Sequence, residues 1–384
     1  MPVSRWGLAA VTAGAALLAA CGSDDVAPSA APSPSITTPA TGSASPAPAA
    51  TGGTPDLTAP ETVATGLDVP WGLAFLPDGS ALVAQRNNGE ILRVRPGGGA
   101  PEQVFDVPGV QHAGESGLLG LAVAKDFAKT NWVYAYLTAA DDNRIVRFKL
   151  GSSAAPELIF AGLDKASFHD GGRIAFGPDG MLYVGTGDAG YRDSAQDPDD
   201  TNGKILRLTP DGKPAPGNPT AGSPVWSLGH RNVQGLAWTA DGTMYATEFG
   251  QDRFDEVNII EPGKNYGWPE VEGTGNDSRY TNPLVTWTTD EASPSGAAIV
   301  GDTLYVAALK GQRLWTVPLG GGKPKAELSG TYGRLRTVAV APDGSLWLTT
   351  SNTDGRGDRR DGDDRILRFA LLAGVASGSR GLRP

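Results

Sequence analysis

The sequence is short of the residues that most protein chemistry relies on. Of 384 residues, one is cysteine (Cys21), three are histidine and three are methionine. A single thiol cannot close an internal disulfide, and the cysteine spacings of structural zinc sites are absent. The histidines, His112, His169 and His230, do not form the His-Glu-x-x-His spacing of zinc hydrolases. Positive charge is also scarce: 32 Lys and Arg stand against 42 Asp and Glu, for a net charge of -10. No stretch concentrates the basic residues, which excludes a nucleic-acid partner. Beyond residue 21 no long segment carries apolar residues at a 3.6-residue period, which excludes a helical fold.

Glycine (53) and proline (30) are plentiful and suit many tight turns. Near the start, Arg5 precedes an apolar run over 7–20, and Leu18-Ala19-Ala20-Cys21 has the form of a bacterial lipobox. Residues 1–21 therefore read as a lipoprotein signal peptide with Cys21 lipidated, which places the protein outside the cytoplasm on a cell membrane. Residues 22–57 are mostly Ser, Pro, Ala, Thr and Gly, with little to bury, and read as a disordered tether. A domain over 58–372 and a short tail over 373–384 complete the expected organisation.

That domain is a repeat. Gly72-Leu73-Ala74-Phe75, Pro77-Asp78-Gly79, Ala81-Leu82-Val83-Ala84 and Ile91-Leu92-Arg93-Val94 make the first unit. Similar units begin at Gly120, Gly172, Gly235, Ala297 and Thr337. Each reads strand, turn, strand, loop, strand, and Asp-Gly between apolar runs predicts a two-residue hairpin with both turn residues at positive φ. Six units, spaced about 40 to 60 residues apart, predict an all-β, six-bladed β-propeller. Loops at one end of its channel are where function is expected.

Several loops contain chemistry-bearing residues. His169 sits in Phe168-His169-Asp170-Gly171-Gly172-Arg173 just before a strand; it is either a general base or a loop histidine satisfied by a carbonyl. Gly229-His230-Arg231-Asn232 offers a planar cationic donor beside a neutral one, for a carboxylate or quinone oxygen or simply for the loop itself. Gly185-Thr186-Gly187-Asp188-Ala189-Gly190 matches GxGxxG, but no helix follows to hold a pyrophosphate, so it reads as a strand-exit loop. The acidic loops over 193–200 and 354–364 do not fit an EF-hand and read as solvated.

Taken together these segments resemble the soluble pyrroloquinoline quinone (PQQ)-dependent glucose and aldose sugar dehydrogenases. The likeness runs over about residues 60 to 370 and rests on Gly114-Glu115-Ser116-Gly117, His169-Asp170-Gly171-Gly172-Arg173, Gly229-His230-Arg231-Asn232, Glu248-Phe249-Gly250-Gln251 with Asp255-Glu256, Asn265-Tyr266-Gly267-Trp268-Pro269, Leu309-Lys310-Gly311 and Arg334-Leu335-Arg336. The resemblance implies an enzyme that oxidises the anomeric carbon of an aldose to a lactone, using PQQ and calcium and passing electrons to an external quinone or redox protein. It implies His169 as base, Arg231 with Asn232 at the quinone carbonyl, and Asp255 near sugar and cofactor. Glu115 would line the cofactor site, and Lys310, Arg334 and Arg336 would pair with PQQ carboxylates. Carbonyls of Gly250 and Gln251 would hold one calcium, and Glu256 with the Tyr266 region a second.

The sequence departs from the glucose enzymes in having Glu115 for Gln, Phe168 for Asp and Gln251 for Pro; the last is harmless if the ligand is a carbonyl. Its short loops suggest an open pocket and a broad sugar range. Two other readings compete: a calcium-dependent lactonase propeller, which needs clustered side-chain carboxylates, and a non-catalytic cell-surface binding module.

Overall fold

Strand runs such as Ala81-Leu82-Val83-Ala84-Gln85 are apolar on both faces, and in the structure all five residues are buried. A strand of that kind needs a covering layer on each side, which a ring of stacked sheets supplies. The computed structural model describes residues 53–372. The expected leader, Cys21, most of the tether and the tail over 373–384 lie outside them.

From β1 (Glu61–Ala64) onward the described chain forms six antiparallel sheets of four strands, β1 included. The first blade is β2 (Pro70–Phe75), β3 (Ala81–Gln85), β4 (Glu90–Val94) and β5 (Glu102–Asp106). The second is β6 (Leu118–Val123), β7 (Trp132–Thr138), β8 (Asn143–Lys149) and β9 (Glu157–Leu163). The third is β10 (Ile174–Phe176), β11 (Leu182–Gly185), β12 (Lys204–Leu208) and β13 (Val225–Leu228). The fourth is β14 (Val233–Trp238), β15 (Met244–Glu248), β16 (Phe254–Ile260) and β17 (Val285–Thr288). The fifth is β18 (Pro294–Val300), β19 (Thr303–Ala308), β20 (Arg313–Pro318) and β21 (Lys325–Glu327). The sixth is β22 (Leu335–Val340), β23 (Leu346–Thr350) and β24 (Ile366–Phe369), closed by β1 in the order β1-β24-β23-β22. The six-bladed propeller is as expected. The fourth, outermost strand of each blade was not legible; β5 and β9 are largely exposed.

The Asp-Gly turns differ from the two-residue hairpin. Only the glycine is left-handed (Gly79 φ 84°), and its N–H donates to Leu76 O while Ser80 N–H donates to Asp78 Oδ1. The aspartate is a local acceptor that stiffens a longer turn. Glycine at the start of the first four units has another cause. A Cβ on Gly72 would lie 2.4 Å from Leu119 O, and one on Gly120 would lie 2.2 Å from Gly172 O. The innermost strands converge on a narrow channel, and only glycine lets their backbones approach.

Within the expected tether, Pro55 bridges to Leu371, and Leu57 packs against the core of the last blades, so ordered packing begins before residue 58. The 193–200 segment contains a 3-10 turn, Arg192–Gln196. The 354–364 loop is not solvated as expected: Asp354, Asp363 and Asp364 are engaged, with side chains 2%, 1% and, for the whole of Asp364, 0% exposed.

Candidate active site

In an antiparallel blade the start of the innermost strand and the end of the second strand lie at the same end. Glu115, His169, Arg231 and Arg334 precede or begin innermost strands, while Asp188, Gly250, Lys310 and Asp354 follow second strands. The topology alone therefore gathers these distant loops around one mouth of the channel.

His169 is held by Glu115 and Asp188. Its backbone is left-handed (φ 56°), and its N–H donates to Glu115 Oε2 at 3.0 Å. Its Nδ1 lies 2.7 Å from Asp188 Oδ1. Asp188 also accepts from Gly190 N–H at 2.9 Å and Trp268 Nε1 at 2.8 Å. Burial alone would raise the Asp188 pKa, but the bonds from His169, Gly190 and Trp268 outweigh it and hold the carboxyl below its usual range. An ionised Asp188 fixes the proton of neutral His169 on Nδ1 and leaves Nε2 as the acceptor. Asp188 lies inside the GxGxxG segment and was not expected at the site; its spacing from His169 carried no signal.

Beside this pair, Arg231 donates from Nε and Nη2 to Gln251 Oε1 (3.1 and 2.7 Å) and from Nη1 to Phe249 O. The Gln251 side chain is thus part of the site. Its backbone N–H, with those of Asp252, Arg253 and Phe254, converges on Glu272 Oε1 at 2.8–3.1 Å. Asn232 is fully buried; Oδ1 accepts Gly171 N–H, while Nδ2 has no partner. A buried donor without an acceptor costs about 1–3 kcal/mol, which a bound oxygen would recover.

Several buried guanidiniums gather across the mouth. Arg334 and Arg336 share Asp354, at 2.9 and 3.5 Å. Burial pushes the Asp354 pKa up, but the two guanidiniums overcome this and hold it low. Arg86 and Arg173, both unexpected, are buried as well. Arg173 rests over the Trp71 ring at 4.2 Å and donates to Gln234 O and Thr337 Oγ1, with no carboxylate partner. Burial weakens the hold of Arg173, Arg336 and Arg86 on their protons, and for Arg336 the charges of Arg86 and Arg334 add to it. Glu115 faces this group: Oε1 pairs with Arg356 at 2.8 Å while Oε2 holds His169. A site so rich in desolvated positive charge fits a planar polyanion. Lys310 is less committed; it pairs with Asp290 at 2.6 Å and is more than half exposed.

Two expected residues have other surroundings. Asp255 is committed to the backbone: it is buried, its oxygens accept Gly250 N–H (2.9 Å) and Ser293 N–H (2.6 Å), and burial lifts it to about 6. It pins two loops together. The Tyr266 hydroxyl donates to Ile259 O at 2.6 Å and accepts Glu261 N–H, so only its carbonyl is left as a ligand.

The donor set nonetheless fits cations. Among the described residues the carbonyls of Gly250 and Gln251 accept no hydrogen bond. Glu248, Glu256, Glu272, Gly250 and Tyr266 line one small cavity. Burial and the charge of Glu248 push Glu256 well above its usual range, and nearby Asn258 Oδ1 is buried with no donor. No three acidic or histidine side chains among the described residues converge as a ready-made metal cluster, so a cation here would draw on carbonyls as well as carboxylates.

His230 and His112 take no part at the mouth. His230 bonds Ser227 Oγ (2.8 Å) and Glu248 (2.8 Å), the connectivity of a hydrolytic triad, but Ser227 and His230 are 0% exposed and no substrate reaches them. His112 lies 3.1 Å from Ser116 O through its Nδ1.

Comparison with known proteins agrees with this geometry. The family described as Glucose / Sorbosone dehydrogenase matches residues 67–368. The chain is 30% identical over 335 residues to the aldose sugar dehydrogenase YliI of Escherichia coli (strain K12), covering 77% of this chain and 90% of that protein. It is 33% identical over 258 residues to quinoprotein glucose dehydrogenase B of Acinetobacter calcoaceticus, covering 57% and 54%. The PQQ-bound structure of an aldose sugar dehydrogenase from Streptomyces coelicolor superimposes with a TM-score of 0.79 at 52% identity, over 83% of this chain and 100% of that one.

Proposed function

Given that the chain belongs to the glucose/sorbosone dehydrogenase family, we propose that it is a PQQ- and calcium-dependent dehydrogenase oxidising the anomeric carbon of aldose sugars to lactones. The observation that carries this reading is the pairing of His169 with ionised Asp188 beside an unpartnered Asn232 Nδ2 and a cluster of desolvated guanidiniums. Bound in the site, the quinone supplies the two-electron chemistry by accepting the hydride from the sugar's C1.

The protein's own residues do the rest. His169 Nε2 takes the proton of the anomeric hydroxyl while Nδ1–H stays on Asp188 and steadies the imidazolium. Arg231 and Asn232 Nδ2 offer donors where negative charge develops on the acceptor oxygen. Arg334, Arg336 and the buried Arg86 hold carboxylates, with Lys310 at the rim; a permanent cation suits this role because binding relieves its desolvation. The carbonyls of Gly250 and Gln251 would hold a calcium ion, and Glu256, the Tyr266 carbonyl and neighbouring Glu248 a second. Glu115 would line the site while orienting His169 through its backbone.

Leu18-Ala19-Ala20-Cys21 supports lipidation at Cys21 and a place on the outer side of a cell membrane, with an external quinone or redox protein as electron acceptor. Reconstitution tests the activity. Purified protein is mixed with PQQ and calcium, and dye reduction is followed over a panel of aldoses. Turnover requiring both additions is expected; no turnover, with no change in PQQ absorbance on mixing, rejects the reading.

A further inference from the structure

Glu272 lies on the long connection between β16 and β17 and reaches back to the loop that leaves β15. There its Oε1 accepts four consecutive backbone N–H groups: Gln251 at 2.8 Å, Asp252 at 3.1 Å, Arg253 at 2.9 Å and Phe254 at 3.0 Å. Successive N–H groups turned onto one oxygen make a concave anion-binding nest. Here the anion is supplied by the chain itself. The wrap is tight: a Cβ on Gly250 would lie 1.8 Å from Phe254 O and 2.6 Å from Glu272 Oε1. The N–H of Gly250 is held in turn by Asp255 Oδ1 at 2.9 Å.

The same bonds fix the opposite face of the loop. In a trans peptide the N–H and C=O of one planar unit point in opposite directions. The units joining Gly250 to Gln251 and Gln251 to Asp252 are both trans. Their N–H groups belong to Gln251 and Asp252, the first two donors to Glu272. Their carbonyls, those of Gly250 and Gln251, must therefore face away from Glu272. These are the two carbonyls that accept no hydrogen bond among the described residues. A proline at 251, as in the glucose enzymes, has no N–H and could not make the first of these bonds.

We infer that Glu272 is a positioning residue: through the nest it turns the Gly250 and Gln251 carbonyls outward as calcium ligands, without ligating the ion itself. This rests on the reading that those carbonyls hold a calcium ion. Carbonyl dipoles bind a cation well only when they converge, and a loop whose peptides are already oriented loses less freedom on binding.

Glu272→Gln and Glu272→Asp separate orientation from charge. The first keeps the length and an acceptor oxygen but loses the charge; the second keeps the charge but is one methylene shorter and withdraws from the nest. Calcium is titrated into each purified protein in saturating PQQ, without sugar, and the midpoint of the change in PQQ absorbance is read. The midpoint should rise about 10- to 100-fold in Glu272→Asp, the usual effect of losing a group that orients a metal ligand, and less in Glu272→Gln. Amide hydrogen exchange at 251–254 in the calcium-free proteins should quicken in Glu272→Asp and stay near native in Glu272→Gln. The opposite order of midpoints would show that the carboxylate acts through its charge or as a ligand, and overturns the positioning role. Unchanged midpoints in both variants overturn it too. A native protein whose PQQ absorbance changes with added cofactor but never with calcium would instead reject the calcium site, and the role of Glu272 with it.

Discussion

Asp188 Oδ1 stands 2.7 Å from His169 Nδ1, and the Trp268 indole N–H holds the second Asp188 oxygen at 2.8 Å. The base is thus braced by a carboxylate that is itself braced. His169→Ala should lower kcat/KM by about 10²–10⁴-fold, the usual contribution of a general base, while PQQ titrated by absorbance still binds. Asp188→Asn should fall in the same direction, because the amide no longer dictates the imidazole tautomer. Unchanged turnover in His169→Ala would remove it from the reaction.

Cofactor affinity should depend on which cation is removed. Arg336 is buried and Lys310 is over half exposed. A charge-assisted hydrogen bond contributes about 1.5–3 kcal/mol, so Arg336→Ala and Arg334→Ala should each weaken PQQ binding about 10- to 100-fold. Lys310→Ala should weaken it less. The reverse order would show that the exposed amine is the main anchor.

Asp170 gives a pH signature. Its Oδ1 accepts from Asn143 and Ala166, its Oδ2 has no partner, and burial lifts its pKa to about 7. A carboxyl whose folded pKa is raised binds more protons folded than unfolded between about pH 4 and 7. It therefore costs stability progressively as pH rises through that window, by up to about 4 kcal/mol. Urea midpoints of the native protein and Asp170→Asn should diverge in favour of the variant from pH 4 to 7 and run parallel above it. Parallel curves throughout would show that Asp170 ionises normally.

Calcium should stabilise the fold. A cation at a hundredfold excess over its Kd adds about 2.7 kcal/mol, so chelation should lower Tm and calcium restore it. Glu256→Gln removes a ligand and also the repulsion with Glu248. It should keep or raise stability without calcium and lose the calcium-dependent gain. A gain of native size in Glu256→Gln would place the stabilising ion elsewhere.

Lys204 is buried, and its Nζ donates to the carbonyls of Ser194 (2.6 Å), Ala195 (3.3 Å) and Asn202 (2.8 Å). Lys204→Met keeps the bulk and leaves the Asn202 carbonyl without a donor, whereas Ser194 O and Ala195 O still accept the N–H groups of Asp197 and Gly229. Denaturant unfolding should show a loss of about 1–3 kcal/mol. A loss under 1 kcal/mol would mean that the loop it ties relaxes freely.

The propeller was legible because apolar strands and Asp-Gly turns recur, and both are local patterns. Ligand-bearing motifs such as His169, Arg231-Asn232 and Arg334-Arg336 could be read by resemblance. Asp188, Arg86 and Lys204 could not: Asp188 meets His169 across a hairpin and Lys204 ties the carbonyls of its own loop, contacts that no local residue pattern announces. Asp188 was further hidden by a glycine pattern that drew attention to phosphate. Asp255 shows the converse, since a motif position does not reveal that both its oxygens are consumed by backbone N–H groups.

The ring has a single non-covalent seam, where β1 pairs with β24. During synthesis Glu61–Ala64 emerges early, whereas its partner Ile366–Phe369 is among the last described residues to leave the ribosome. Until then no closed circle exists, Arg334 and Arg336 cannot be held opposite Glu115, and the β1 edge waits unpaired as a target for foreign strands. Cofactor loading is therefore confined to the completed chain, and translation stalled short of residue 366 yields an open, association-prone arc with no partial enzyme.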